Sequence, residues 1–310
     1  MHRPGRGRLS LWEAHMRVGV VLAVRGPAPH LGAALRSVLE QEPAPDSVVV
    51  VDDASDEPVA LPAGDGDVLL VRREERGGPA AARATGLAAL GDVDLVALAD
   101  ADDEWRPGKL AAQLASIGGH AVSFSRAVLV DEAGRPTGEV WEGPRAGTLD
   151  RGEFARSLYL HNPIAAPGVV VRRAALLAAG GFESPVLLAE DYDLWLRLAA
   201  RGETFVYEPA AEVTVRRHPA SLSWDVAALA ECSLEVHRRH ASLVPSDVAE
   251  SVMARDLRAL AQGRIRFHRD YAGAREALGR AAALEPLSPR FRAIAALTRL
   301  PGARGLLGRR

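Results

Sequence analysis

The chain has 310 residues, of which 48% are apolar and 25% are charged, a composition typical of a folded globular protein. Its formal net charge of −2 argues against a nucleic-acid-binding protein. That total hides an uneven distribution, because residues 255–310 contain thirteen arginines against four acidic residues. The sequence therefore has an acidic body and a basic C-terminal region.

Three further features indicate the cellular setting. The single cysteine, Cys232, cannot form an intrachain disulfide, which favours a reducing, cytoplasmic compartment. No apolar run reaches the ~18 residues that span a bilayer. Residues 1–15 are basic but lack the apolar core of a signal peptide, so we expect a disordered leader there, with Met16 as an alternative start.

The first hundred residues alternate buried strands with helices. Short β-branched runs predict strands at 18–24, 47–51, 68–71 and 94–99. Apolar spacing and a Gly-Pro start predict helices near 31–39 and at 77–90. This order is typical of an α/β fold with a mostly parallel sheet flanked by helices.

Beyond residue 120 the pattern changes. We expect a hairpin around Gly134, a strand at 168–172 and an amphipathic helix at 190–201. Two closing strands are expected at 205–207 and 213–215. After Trp224 only helical periodicity remains, approximately over 225–240, 245–262, 271–284 and 288–298. The predicted regions are therefore a leader (1–15), an α/β domain (16–224) and a basic α-helical C-terminal appendage (225–310).

Two acidic clusters follow strands of the predicted sheet. Asp52 and Asp53 end the second strand, and Asp100, Asp102 and Asp103 follow the fourth. Ligands of such sheets bind beyond the carboxyl ends of the strands, so we expect both clusters in one cleft. Crowded carboxylates repel each other, and their oxygen atoms suit Mg²⁺ or Mn²⁺. Solvated loops at two strand ends are the alternative interpretation.

The glycine-rich phosphate loops of competing enzyme classes are missing. Residues 25–30 follow the first strand and read Arg-Gly-Pro-Ala-Pro-His, without the Gly-x-Gly-x-x-Gly of dinucleotide-binding folds. A sugar-phosphate nucleotidyltransferase would be expected to have Gly-x-Gly-Thr-Arg at this point, and no Walker motif occurs in the chain. These classes are therefore disfavoured.

Four segments, in this order, resemble the inverting family 2 glycosyltransferases of GT-A fold. They are VVVVDDAS (48–55), LADADDEWRPGKL (98–110), AEDYDLWLRLAARG (189–202) and RRHPASLS (216–223). The resemblance covers approximately residues 16–224. One departure is visible, because the family often has Ala-Arg-Asn-x-Gly in the second helix, whereas residues 82–86 here read Ala-Arg-Ala-Thr-Gly.

The resemblance implies a donor site for a nucleotide-diphosphate sugar. Asp53 would hold the base, since a carboxylate can accept the imide N–H of uracil or thymine. Arg83 would be a second donor contact, and Asp100 would contact the ribose. Arg217, or its neighbour Arg216, would bind the diphosphate.

The resemblance also implies a metal site and a catalytic pair. Asp102 and His218 would hold Mn²⁺ or Mg²⁺ at the diphosphate. Asp191 would be the general base, and Glu190 would orient it or contact the acceptor. A simple N-cap is the alternative interpretation of an aspartate at the start of a helix.

The implied function is metal-assisted, hexosyltransferase-type transfer from a UDP- or dTDP-sugar to an acceptor hydroxyl, with inversion. Carbohydrates, lipid-linked sugars and small natural products are the expected acceptors, and nucleic acid is not an expected partner. The abundance of arginine, alanine and glycine suggests a bacterial source, and the basic region could contact the inner face of the membrane. The alternative is a catalytically silent sugar-binding or scaffold protein that recruits partners through its C-terminal helices.

Overall fold

The structure is a computed structural model that describes residues 16–61, 68–144, 147–148, 151–184, 186–219, 221 and 224–299. The predicted leader (1–15) and the last residues of the predicted appendage (300–310) lie outside the described residues. No helix within the described ranges has the length and apolarity needed to cross a membrane.

Ten strands of the described chain form one sheet, in the order β3-β2-β1-β4-β9-β6-β10-β5, with β7 paired to β6 and β8 to β10. They are β1 (Val18–Val24), β2 (Ser47–Asp52), β3 (Val68–Arg72), β4 (Leu95–Asp100), β5 (Glu104–Trp105), β6 (Val122–Val130), β7 (Pro136–Trp141), β8 (Gly147–Thr148), β9 (Val169–Arg172) and β10 (Phe205–Arg216). The α-helices are α1 (Leu31–Leu39), α2 (Gly78–Ala89), α3 (Lys109–Ile117), α4 (Arg151–Leu160), α5 (Arg173–Ala178), α6 (Glu190–Ala200), α7 (Val226–Arg239), α8 (Ser246–Gly263), α9 (Tyr271–Leu284) and α10 (Pro289–Leu297).

The first four strands pair in parallel, which confirms the predicted α/β arrangement. The apolar runs of β1, β2 and β4 are buried along almost their whole length, because helices and loops cover both faces of this part of the sheet. Beyond β4 the sheet is mixed, since β9 runs antiparallel to both β4 and β6.

The end of the sheet differs from the prediction. Residues 205–216 form the single strand β10, where two short strands were predicted. Its pairing with β6 shifts register between Glu208 and Glu212. Pro209 lies in this interval, and proline is confined to bulges and edges because it has no N–H to donate. The interruption in the sequence pattern was therefore a bulge within one strand.

Contacts divide the chain into two compact units. Unit 1 comprises the described residues of Met1–Phe154, Pro163–Glu183 and Arg201–Arg217, and contains the sheet. Unit 2 comprises the described residues of Ala155–Asn162, Ser184–Ala200 and His218–Arg310. Its apolar core joins α7, α8 and α9, through residues such as Leu234, Leu257 and Leu278. The boundary between residues 224 and 225 stays a prediction.

Helix α2 packs closely on the sheet at Gly86. A Cβ atom at this position would clash with Cγ1 of Val21 and would lie 3.2 Å from Cγ2 of Val51. Both valines are buried and stiff, so Gly86→Ala should lower the free energy of unfolding by about 1–3 kcal/mol. Gly279→Ala is the control, because no described atom other than those of its chain neighbours and its own helix backbone lies within 4 Å of its Cβ position, and alanine favours a helix. Equal urea midpoints for the two variants would contradict this close packing.

Candidate functional site

Both acidic clusters lie at the same edge of the sheet. Strand β1 separates β2 from β4, and its last residues pair with Asp52 on one side and Asp100 on the other. Two strand spacings separate these aspartates across the sheet by about 10 Å. The two clusters therefore lie at one edge of the sheet, and the prediction that they share a cleft stays a prediction.

Asp53 lies at the N-terminal end of α2. Its carboxylate accepts the N–H groups of Gly77 at 2.9 Å and Gly78 at 2.7 Å, and Nε of Arg73 lies 2.9 Å away. The helix N-terminus favours a negative charge at this point. A carboxylate has about four lone-pair sites, so three donors leave room for a fourth, such as an imide N–H. The role of Asp53 in base binding stays a prediction.

Asp52 fixes the loop that carries Asp53. It accepts the N–H groups of Ser55 and Val59, at 2.9 and 3.2 Å, and pairs with Arg72 at 2.6 Å. Burial alone would raise the pKa of Asp52, but the bonds from Ser55 and Val59 together with Arg72 lower it below its usual value. Sequence reasoning assigned Asp52 no role, although an Asp followed three residues later by Ser is a recognisable turn signal.

Arg83 and Asp100, both predicted donor contacts, form an ion pair. The arginine side chain is 5% exposed, and its Nη2 donates to Oδ1 of Asp100 at 2.8 Å. Helix α2 brings Arg83 to the end of β4 because Gly86, one turn further along, lets this helix approach β1 closely. The structure therefore joins the second helix to the second acidic cluster.

Asp103 connects the second acidic cluster to the end of β10. It accepts the N–H of Arg216 at 2.8 Å, and the Arg216 guanidinium contacts the carbonyl oxygen of Asp102 and the carboxylate of Glu104 at 3.3 and 3.1 Å. Burial, followed by the charges of Asp102 and Asp100, raises the pKa of Asp103 well above its usual value. Arg216 therefore holds the acidic loop in place, a role that sequence reasoning missed.

This crowding of carboxylates fits a divalent cation, because a positive charge would relieve the repulsion among them. Within the described residues no three His, Cys, Asp or Glu side chains are grouped so that they could hold an ion. A cation at Asp102 would therefore take most of its ligands from water and substrate phosphates, as Mg²⁺ commonly does.

Arg217 is directed toward β7. Its Nη1 lies 2.8 Å from Oε2 of Glu139, and its guanidinium lies 5.7 Å from the ring centre of Trp141. The backbone N–H of Arg217 donates to the carbonyl oxygen of Val130. The role of Arg217 as a donor contact stays a prediction.

Unit 2 carries Glu190, Asp191 and His218. Glu190 is buried and Asp191 is partly exposed in the first turn of α6, and Oδ1 of Asp191 accepts the N–H of Tyr192 at 2.7 Å. The N–H of His218 donates to Oγ of Ser221 at 3.1 Å. The Asp191 geometry is compatible with both the helix-capping and the general-base interpretation.

A sequence model described as "Glycosyl transferase family 2" matches residues 20–177, about half of the chain. The chain belongs to this family. The predicted family is thereby confirmed; the match includes the motifs at 48–55 and 98–110, and the assignment of those at 189–202 and 216–223 stays a prediction.

Two curated relatives align with this family 2 glycosyltransferase. The pre-mycofactocin glycosyltransferase of Mycobacterium tuberculosis is 32% identical over 208 residues, covering 64% of this chain and 43% of the relative. The succinoglycan biosynthesis protein ExoU of Rhizobium meliloti is 30% identical over 211 residues, covering 61% of this chain and 58% of ExoU. The alignments thus span about half the length of these relatives.

Solved structures confirm the GT-A fold. Staphylococcus aureus TarS 1–349 in complex with UDP-GlcNAc has a TM-score of 0.61 at 18% identity, covering 94% of this chain and 88% of TarS 1–349. GalNAc-T7 with UDP, GalNAc and Mn²⁺ has a TM-score of 0.54 at 14% identity, covering 82% of this chain and 57% of the GalNAc-T7 chain. At such identities the likeness concerns the fold alone.

The buried Asp103 predicts an unusual pH dependence for the family 2 chain in the presence of a chelator. Because the pKa of Asp103 is raised in the folded chain, the unfolded chain loses this proton at a lower pH than the folded chain does. The free energy of unfolding therefore falls as the pH rises from about 4 toward the folded-state pKa. Asp103→Asn should therefore raise the urea midpoint at pH 7 and change it less at pH 4, since an amide oxygen can still accept the Arg216 N–H. The exposed Asp247→Asn is the control. A lower midpoint for Asp103→Asn than for wild type at pH 7 would contradict this expectation.

Proposed function

We propose that this chain transfers a sugar from a nucleotide-diphosphate sugar, with UDP or dTDP as the favoured nucleotide, to an acceptor hydroxyl with inversion. The observation that carries the proposal is the shared strand edge, where Asp53, the Arg83–Asp100 pair and the Asp102 loop lie together in unit 1. Family membership supports it, as does the binding of UDP-GlcNAc stated for TarS.

The donor would be bound by residues at this edge. Asp53 would accept the imide N–H of the base with its remaining lone pair. Asp100 would accept a ribose hydroxyl, and its ion pair with Arg83 holds the carboxylate in a fixed orientation. We assign Arg217 to the diphosphate, as the resemblance implies.

We assign the divalent cation, Mn²⁺ or Mg²⁺, to Asp102 and His218. When bound, the ion supplies positive charge at the diphosphate leaving group. The chain's contribution is to hold the Asp102 loop rigid through Asp103 and Arg216.

Asp191 is the proposed general base. Its carboxylate would remove the proton from the acceptor hydroxyl while the acceptor oxygen forms a bond to the anomeric carbon. The bond from that carbon to the diphosphate breaks on the opposite face, through an oxocarbenium-like state, and the configuration inverts. Glu190 would orient Asp191 or contact the acceptor. The names of the two curated relatives support acceptors that are carbohydrates or small natural products, and lipid-linked sugars remain candidate acceptors.

A thermal-shift comparison of UDP, dTDP and GDP, each with Mn²⁺, tests the donor assignment. Ligands that bind the folded state raise the melting temperature by mass action, so UDP or dTDP should shift it and GDP should not. Asp53→Leu, which has no acceptor oxygen for the imide N–H, should remove this preference. A shift with GDP alone would contradict the base assignment.

We propose a cytoplasmic enzyme whose C-terminal region contacts anionic membrane surfaces. Trp224, Val226 and Phe267 are exposed, and Arg266 and Arg269 beside Phe267 are exposed as well. Aromatic and basic side chains together favour an interface with anionic lipid. The chain should therefore sediment with vesicles that contain phosphatidylglycerol and not with pure phosphatidylcholine, and Arg266→Gln/Arg269→Gln should weaken this binding. No sedimentation with the anionic vesicles would contradict membrane contact, and equal recovery with both vesicle types would contradict the preference for anionic lipid.

A further inference from the structure

The first turn of α6 is anchored by residues that lie far away in the sequence. This turn carries Glu190 and Asp191, and the two side chains that follow are buried against α7. We propose that His237 and His240, at the C-terminal end of α7, are positioning residues that set the orientation of this turn. The inference rests on the proposed role of Asp191. It gives the C-terminal helices a role in catalysis, because α7 would position the turn that carries the general base.

The first anchor is the hydroxyl of Tyr192. It lies 2.8 and 2.9 Å from the carbonyl oxygens of Leu158 and Tyr159, and 3.0 Å from Nε2 of His237. Nδ1 of His237 lies 2.5 Å from Oδ2 of Asp256 on α8, which fixes the plane of the ring. Nε2 of His237 also lies 3.0 Å from the carbonyl oxygen of Tyr159, so the ring contacts both the hydroxyl and the backbone beside it. The imidazole therefore holds the Tyr192 hydroxyl in place.

The second anchor is the carboxylate of Asp193, which is fully buried. Nε2 of His240 lies 2.9 Å from Oδ1, Nε of Arg197 lies 2.9 Å from Oδ2, and Nε of Arg239 lies 3.5 Å from Oδ1. Burial alone would raise the pKa of Asp193, but the bond from His240 and the charge of Arg197 lower it below its usual value. The carboxylate therefore stays charged and bound at neutral pH.

The turn needs such anchors because the residue before it has an unfavourable backbone conformation. Ala189 has a φ of 71°, in the left-handed region that side chains with a Cβ rarely adopt. Such residues persist where their surroundings hold them. Its carbonyl oxygen accepts the N–H of Asp193 at 3.0 Å, so the strained residue and the second anchor belong to one turn.

Loosening this turn should affect the chemical step more than donor binding. A general base acts only within hydrogen-bond reach of its proton, and a displacement of about 1 Å can lower the rate about 100-fold. Asp53 and Asp100, the proposed contacts to the nucleobase and the ribose of the donor, belong to unit 1. The affinity for the donor should therefore not change.

Two variants test the first anchor. Tyr192→Phe deletes only the hydroxyl, and His237→Ala deletes the ring that holds it. Each should lower kcat at least tenfold while the KM for the donor changes less than twofold, and His237→Gln should recover part of the loss. Tyr271→Phe is the matched control, because its buried hydroxyl in the same unit has no hydrogen-bond partner among the described residues. A kcat for Tyr192→Phe equal to that of Tyr271→Phe would overturn the proposal.

Hydrogen exchange separates this proposal from the proposed function. The amides of residues 190–195 should exchange at least tenfold faster in Tyr192→Phe than in wild type, while those of α8 and α9 should not change. Unchanged exchange at 190–195 would overturn the anchoring itself, whatever the activity. If exchange is faster in Tyr192→Phe but wild type turns over no nucleotide sugar, the proposed function and the catalytic part of this inference are overturned. The anchoring of the turn is then still supported.

Discussion

Replacing Asp191 with asparagine is expected to lower kcat by about 10³-fold, because general-base catalysis contributes about 10²–10⁴-fold and an amide cannot take up the acceptor's proton. The substitution keeps the size and shape of the side chain, and the amide oxygen can still accept the N–H of Tyr192. Donor affinity, measured by titration calorimetry with UDP and Mn²⁺, should stay close to the wild-type value. Release of nucleoside diphosphate in steady state measures the rate.

Asp247→Asn is the matched control for this experiment. Asp247 lies in the first turn of α8, in the same unit as Asp191, and its side chain is exposed. It shares the position at a helix start but has no proposed catalytic role. If both variants kept wild-type kcat, Asp191 would be a helix-capping residue and the base would have to be another group.

The second large effect is expected at the ion pair between Arg83 and Asp100. Arg83→Met should lower the free energy of unfolding by about 2–3 kcal/mol, because removing one partner of a buried pair leaves the other charge without compensation. It should also weaken donor binding at least tenfold, since Asp100 loses the contact that orients it. Chemical denaturation and calorimetry measure the two effects.

Two further variants isolate this ion pair. The double variant Arg83→Met/Asp100→Asn should recover part of the lost stability, because no uncompensated carboxylate remains. Arg238→Met removes an arginine whose side chain is 68% exposed and pairs with Glu235 on its own helix, so its effect should be small. A stability loss for Arg83→Met no larger than that for Arg238→Met would contradict the structural importance of the pair.

The sequence predicted those features that depend on local patterns. Short apolar runs identified β1, β2 and β4, and the acidic residues at the ends of β2 and β4 located the candidate site. A parallel sheet places such strand ends at one edge, so the topology connected Asp53 with Asp100 without any knowledge of side-chain contacts. The helices after Trp224 were also predicted, because each has an apolar face of helical period.

Long-range contacts could not be predicted in the same way. The hydrogen bond between Asp103 and Arg216 joins residues 113 positions apart in the sequence, and that between His240 and Asp193 joins residues 47 positions apart. No local pattern marks such partners, because their distance depends on how whole elements pack. The prediction of two short strands at 205–207 and 213–215 was wrong for a related reason, since the pairing of β10 with β6 continues past a bulge that interrupts the alternation of side chains.

The most direct test of the proposed function is release of UDP or dTDP from the corresponding nucleotide sugars, in the presence of Mn²⁺, by wild type and by the Asp102→Asn and Asp191→Asn variants. We expect steady release by wild type, faster when an acceptor with a free hydroxyl is present and abolished by a chelator. Each single variant should lose at least 99% of that rate while keeping a cooperative unfolding transition. Release that continues unchanged in both variants, or that ignores the chelator, would contradict a metal-assisted displacement at this site.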